Sequence, residues 1–512
     1  MIKLNDLPEL KNILTNIRPS PLLTKSQEND FIETILIQLD DYILENLNIF
    51  QSTKFEEKIT EYIHEIVEEY LDDIFEDETV IHYNNDEDIE FLVNKVYEIY
   101  FSLFMHRRSY KDSYVLFKQS KKDKDEITKK INIVREKDKD NDGQKTIKWF
   151  EDRHNLLSAS SIWKSLKTQS SKNSLIYEKC LPCEYRTSTV NINSSLHWGH
   201  VYEPLAQEYY EHKYNAEIEE YGCIKHSNYE FLGASPDGIN VNYDSERYGR
   251  MLEIKSVVSR KITGIPKLEY WVQTQLQMEC CNLDECDFLE CKFIEYDNYS
   301  EFINDNHNDM FCYSKDNNKH KGLILCFMNN ETNEPKYEYC PFLCKNEDDY
   351  LKWREEIINE YNGSDYTWVR NRYWKLDVVS CVLIMRNKDW FDYYAFHEFK
   401  ETWDTIVKER EEGYEHRKPK SKNTNKDKDV KNIIINNDEN IGNSYNNNSN
   451  NNNNNNNHKI KNKCLITLDI HSEKMINDNF EIFDKSREKQ ENEKNKTKEK
   501  NIEINNKSRE KH

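Results

Sequence analysis

Three residues close together in the chain have the types and spacing for metal-assisted hydrolysis: Asp237 in GASPDG, then Glu253 and Lys255 in MLEIKSV. The hydrophobicity of 229–234 and 239–244 predicts two strands around a Ser235-Pro236-Asp237-Gly238 turn, and 251–257 predicts a third. On a strand, Glu253 and Lys255 are two apart and share a face. A short meander could set Asp237 beside Glu253. Two carboxylates there make a hard, oxygen-rich site suited to Mg²⁺ or Mn²⁺, with the backbone carbonyl of Ile254 as a further oxygen. Lys255 would stand by the attacking water and stabilise charge building on a phosphate. Taken singly the signals are ordinary, since an E-x-K pair is usually an exposed ion pair and PDG a common turn. Their order and the 16-residue separation of the two carboxylates give them weight.

Flanking segments must position these groups. The pattern over 200–214 predicts a helix with Val201, Leu205 and Tyr209 on one face and Pro204 in its first turn, which could aim Glu203 at the site. A second helix is predicted over 270–281, with Tyr270, Gln273, Gln277 and Cys281 on one face. Gln273 could bond a catalytic group or a phosphate; alone it would read as an exposed polar residue. Upstream, Arg153 precedes the small-residue run Ser158-Ala159-Ser160.

This order resembles the PD-(D/E)XK nuclease superfamily, in the branch of the phage-lambda-type exonucleases and YqaJ-like viral recombinases. The elements are Arg153 with Ser158-Ala159-Ser160, Trp198-Gly199 with Glu203, Ser235-Pro236-Asp237-Gly238, Glu253-Ile254-Lys255 and Val272-Gln273-Thr274-Gln275. The match covers roughly 143–296 and resumes weakly at 378–410. It implies an α/β restriction-endonuclease-like core, with a mixed central sheet flanked by helices. It implies Asp237, Glu253 and the Ile254 carbonyl as ligands of Mg²⁺ or Mn²⁺, with Glu203 at the same site through a second metal or a water. Lys255 would orient the water, Gln273 would organise the site, and Arg153 and Ser160 would hold a DNA phosphate. The implied activity is a DNA exonuclease acting on linear duplex ends in viral recombination or repair. The implied partners are a single-strand annealing protein and further copies of the chain. An endonuclease with the same site, an idle DNA-binding scaffold, and RNA as substrate stay open at this point.

The rest of the chain frames that core. Residues 1–105 predict an acidic helical region, in which Ile59, Ile63, Ile66, Val67, Tyr70, Leu71 and Ile74 form one stripe. Residues 106–142 read as a charged linker. Within the nuclease domain, 143–414, residues 297–370 read as an insertion and 371–414 as a closing strand and helix. Residues 415–512, with an unbroken asparagine run at 450–457, cannot bury enough apolar area to fold and read as a disordered tail with a short strand at 464–470.

The chain carries 94 acidic and 72 basic residues, a net charge of −22, which disfavours broad coating of DNA but not a confined channel. No run approaches the ~18 apolar residues of a membrane span, and the opening MIKLNDLPELKN has no secretory apolar region. Thirteen cysteines without regular spacing indicate reduced thiols. Cys180 and Cys183 form a lone CxxC, and Cys280, Cys281, Cys286 and Cys291 lack one, so zinc and iron–sulfur sites are not expected. The absence of GxxxxGK[ST] excludes an ATP-driven motor of that type. Composition and motifs together point to a large DNA virus of a protist. The protein is then expected in the host cytoplasm or viral factory, or packaged in the virion, and not secreted.

Overall fold

The computed structural model describes residues 23–419, apart from 75–84, 112–123, 140–142, 145, 184–191, 193, 308–309 and 317. The amino-terminal helices are α1 (Lys25–Glu45), α2 (Phe55–Ile74) and α3 (Asn85–Ile99). Thr24 caps α1 in a reciprocal box with Gln27. The stripe read from sequence is the packed face: Ile59, Ile63, Val67 and Leu71 are buried with Ile32, Ile35 and Leu39 of α1 and Val93 and Val96 of α3. Glu57, Glu61, Glu65, Glu68 and Glu69 lie on the exposed side.

The segment expected to be a linker is instead joined to the body. Tyr110 exchanges backbone hydrogen bonds with Leu383 at 2.9 and 3.0 Å. Helix α4 (Lys124–Asp138) buries Ile131 and Val134. Three of its cations find partners in the body: Lys130 pairs with Asp284 at 2.9 Å, Arg135 forks onto Glu219, and Lys137 donates to the carbonyls of Lys225 and Cys280. Ile127 lies so close to Gly249 that a Cβ there would meet it at 2.3 Å, and Gly249 has φ +78°. The charge run looked solvated because its partners lie some 80 to 150 positions downstream.

Next come α5 (Ile147–His154), β1 (Leu157–Ser158), α6 (Gln169–Cys180) and α7 (Ser195–Tyr214). Helix α7 begins five residues before the expected start, capped by Ser194, which accepts from the His197 amide at 3.1 Å. Pro204 therefore lies inside the helix and not in its first turn, and it is exposed. Strands β2 (Ile218–Glu219), β3 (Ile224–Lys225), β4 (Leu232–Ala234), β5 (Gly238–Asn240) and β6 (Met251–Ser256) follow, then α8 (Leu268–Cys281) and β7 (Glu285–Glu295). The expected meander is broken. β4 sits in a three-stranded sheet, β1-β4-β3, while β5 belongs to the main sheet, so the SPDG turn passes between sheets.

The segment expected to be an insertion holds β8 (Asn306–His307), β9 (Met310–Ser314), β10 (Lys321–Asn329), β11 (Pro335–Tyr339) and helix α9 (Glu347–Glu360). It is followed by β12 (Tyr366–Met385) and α10 (Phe396–Glu412). β10 and β11 extend the main sheet, whose order is β11-β10-β12-β7-β6-β5-β2. The sheet is mixed: β6 and β7 are parallel, joined through α8, and the other pairs are antiparallel. Leu252 and Ile254 pack with Val201, Tyr202, Leu205 and Tyr210 of α7 in one core. By the two-residue period, Glu253 and Lys255 point to the other face, toward α8. This is the expected α/β architecture. The tail lies outside the described residues beyond 419, as does the strand expected at 464–470. Among the described residues no helix is long and apolar enough to cross a membrane.

Candidate active site

Glu253 is fully buried, and three donors hold its carboxylate. Lys255 Nζ bonds Oε1, Gln273 Nε2 donates to Oε1 at 2.8 Å, and Gln277 Nε2 donates to Oε2 at 2.6 Å. The two glutamines are one helical turn apart on α8, so the shared face read from sequence is the face that meets β6. The sequence assigns no role to Gln277, although its place four residues after Gln273 puts it on the same face, and the structure buries it completely. Gln277 Oε1 has no hydrogen-bond partner among the described residues.

Asp237 Oδ2 accepts from the Ile254 amide at 2.7 Å, which ties the SPDG turn to β6. The next residue, Gly238, lets β5 lie close to β2, since a Cβ there would lie 2.2 Å from Ile218 Cγ2 and 3.2 Å from the Glu219 carbonyl. Burial raises the Asp237 pKa well above the usual carboxylate range, and repulsion from Glu253 and Glu203 adds to the rise. Burial alone would lower Lys255, but Glu253 and Asp237 outweigh it and keep the ammonium charged. Glu203, Ile254, Lys255 and Tyr270 line an open cleft of about 480 Å³ with Gly199, beside the loop that follows β6.

Two carboxylates thus share one ammonium, and Glu203 adds to the repulsion on Asp237. Such a concentration of negative charge fits a hard divalent cation. Asp237 and Glu253 are the side chains that could hold one. As they stand, no three His, Cys, Asp or Glu side chains among the described residues converge on one point. The same holds for Cys180, Cys280, Cys281, Cys286 and Cys291, all buried, and Cys183, half-buried.

Arg153 stands over the Trp149 ring at 4.3 Å. Its guanidinium donates to Ser160 Oγ at 2.6 Å and to Ser235 Oγ at 3.4 Å. Ser235 also accepts from Trp149 Nε1 at 3.1 Å. Because Ser235 opens the SPDG turn, it joins the Arg153–Ser160 pair to the carboxylates. The sequence marks neither Ser235 nor Trp149 for this role, because no local pattern pairs residues 82 and 86 positions apart.

A family model described as the YqaJ-like viral recombinase domain matches residues 148–284, the stretch that holds every one of these groups. The chain is 30% identical over 335 residues to uncharacterized protein R354 of Acanthamoeba polyphaga mimivirus, a match covering 58% of this chain. The chain spans about half the length of that curated relative, 56%. The giant-virus relative agrees with the viral origin expected from composition and motifs. Among solved structures, the chain is similar to an alkaline exonuclease of Laribacter hongkongensis, at 20% identity and a TM-score of 0.28, covering 53% of this chain and 95% of that one. The same enzyme in complex with dAMP gives 20% identity and a TM-score of 0.29.

Proposed function

We propose that this chain is a metal-dependent deoxyribonuclease that degrades linear duplex DNA from its ends, in recombination or repair of a viral genome. The observation that carries the reading is Glu253, buried on β6 with Lys255, Gln273 and Gln277 fixed on its carboxylate and Asp237 tied to the next residue. The reaction is hydrolysis. A water oxygen attacks phosphorus in line, the bond from phosphorus to the leaving sugar oxygen breaks, and that oxygen takes up a proton.

A Mg²⁺ or Mn²⁺ ion held by Asp237 and Glu253, with the Ile254 carbonyl and Glu203 beside them, would supply charge to the phosphate and acidify a water. Lys255 orients the water and meets the negative charge that builds on the phosphate oxygens. Gln273 and Gln277 hold Glu253 in one rotamer, and the Ile254 amide does the same for Asp237. Fixed donors of this kind need no reorganisation during the reaction. Arg153 and Ser160 hold a phosphate of the DNA, placed by Ser235 at a set distance from the carboxylates. An annealing protein and further copies of the chain are the proposed partners, and the host cytoplasm or viral factory the proposed place of work.

The test compares linear with covalently closed circular duplex, using wild type and Asp237→Asn. Loss of the linear DNA alone, by wild type alone, supports the proposal. Cutting of circles makes the protein an endonuclease. Equal cleavage by Asp237→Asn removes Asp237 from the site.

A further inference from the structure

Arg108 is buried, at 4% exposure, yet forms no ion pair among the described residues. Its guanidinium donates to two neutral acceptors, the carbonyls of Pro266 and, at 3.3 Å, Gln51, and it stands over the Trp271 ring at 5.8 Å. Its Nε has no hydrogen-bond partner among the described residues. Burial lowers its pKa to about 9, with Glu269 and Glu56 opposing only in part. A buried cation without an anion is costly, and one that lines a cleft is placed to receive an anion.

The cleft it lines, about 670 Å³, lies where the amino-terminal helices meet the body. Lys54, Arg107 and Lys111 line it with Arg108, against Glu56 and Glu57. Glu57 pairs with Lys54 at 3.0 Å, Glu56 accepts from Tyr97 at 2.8 Å and Arg107 pairs with Glu98 at 3.6 Å, so Arg108 and Lys111 are the cations of the cleft that form no ion pair among the described residues. A net positive cleft is notable in a chain of charge −22. One loop reaches both this cleft and the active site. The loop 257–267 contributes Val257, Val258, Ser259 and Arg260 to the catalytic cleft and Ile265 to this one. On α8, Tyr270 lines the catalytic cleft while its neighbour Trp271 lies under Arg108. The loop itself carries Arg260, Lys261 and Lys267.

We propose that Arg108, with Arg107, Lys111 and Lys54, forms a second phosphate-binding site that grips the backbone of a DNA duplex beyond the active site. The site gives the amino-terminal helices a function: they complete a track for the duplex. The inference rests on the nucleic-acid reading of the active site.

The test measures binding of labelled linear duplexes of increasing length to the full chain in EDTA, over a range of salt. It compares wild type with Arg107→Gln/Lys111→Gln, where Arg107 is half-buried over the Tyr97 and Phe101 rings and Lys111 is exposed, each variant first shown by thermal unfolding to be folded, and with Lys400→Gln/Lys408→Gln, an equal charge loss on the exposed face of α10. Two lost phosphate contacts lower the salt slope by about 1.8 and weaken binding at 0.1 M salt on the order of tens-fold. Wild type shows a step in affinity once the duplex is long enough to reach the cleft; Arg107→Gln/Lys111→Gln lacks the step and the control keeps it. An unchanged slope and step in Arg107→Gln/Lys111→Gln, or an equal loss in the control, overturns the inference. If wild type shows the step but cleaves no DNA with Mg²⁺ or Mn²⁺, the phosphate site stands and the nuclease reading falls.

Discussion

Gln277→Met isolates what holds Glu253 in place. Gln277 is fully buried, and its amide supplies the hydrogen bond to Glu253 Oε2, at 2.6 Å, while Oε1 has both Lys255 and Gln273. A hydrogen bond to a buried charge contributes about 1.5–3 kcal/mol. Methionine fills nearly the same volume, so little is added for a cavity. It also removes Gln277 Oε1, which lacks a partner among the described residues, and this returns roughly 1 kcal/mol. The net loss is about 0.5–2 kcal/mol. With an unfolding entropy of roughly 2.1 cal/mol/K per residue over the body spanning 23–419, that lowers Tm by about 0.5–2.5 °C. Gln273→Met should lower it less, because Gln273 is half-buried and shares its acceptor with Lys255. Added Mg²⁺ should recover part of the Gln277→Met loss, since a cation on Glu253 replaces the missing donor. The assay is thermal unfolding in EDTA and in Mg²⁺. A Gln277→Met protein as stable as wild type in EDTA, or Gln273→Met as the weaker of the two, would refute this division of labour.

Other perturbations have equally definite outcomes. Arg153→Met removes the donor to Ser160 and Ser235 and should weaken use of phosphorylated ends about 10–100-fold, the equivalent of one charged hydrogen bond; cleavage of phosphorylated and dephosphorylated duplexes measures it. Gly238→Ala drives a methyl group into Ile218 and should cost about 1–3 kcal/mol in stability and displace Asp237, so kcat should fall even where the fold persists. Burial and the neighbouring Arg153 lower Lys179 to about 8 from 10.5. Between those values the unfolded chain binds more protons, so this residue's contribution makes stability rise as pH rises through the window, and below pH 8 its penalty is present in full. The difference in Tm between wild type and Lys179→Met, followed from pH 7 to 10.5, should show that slope; a flat difference curve contradicts it.

The carboxylate strand was legible because chemistry and periodicity coincide there. Glu253 and Lys255 are two apart on a strand, Gln273 and Gln277 four apart on a helix, and the two elements meet on those faces. Contacts between distant segments were not legible. Ser235 looked like a turn residue, and only the fold places it between Arg153 and Trp149. The alternation in EITKKINIVREK carries an apolar stripe, Ile127, Ile131 and Val134, that the abundance of charge masked. The strand over 229–234 shortened because β4 and β5 join different sheets, a choice made by their partners β1, β3, β2 and β6. The segment 297–370 looked extraneous because its attachment is long-range: β10 pairs with the first half of β12, whose second half pairs with β7. That shared strand makes the segment an extension of the central sheet.

The most direct measurement follows the end-labelled strand of a linear duplex in Mg²⁺ with wild type and with Lys255→Ala, after thermal unfolding has shown both to be folded. Progressive shortening from an end by wild type, absent in Lys255→Ala, is the predicted result. Equal shortening by the two proteins would take Lys255 out of the chemistry. No cleavage by wild type, in Mn²⁺ as well as Mg²⁺, would contradict the nuclease account.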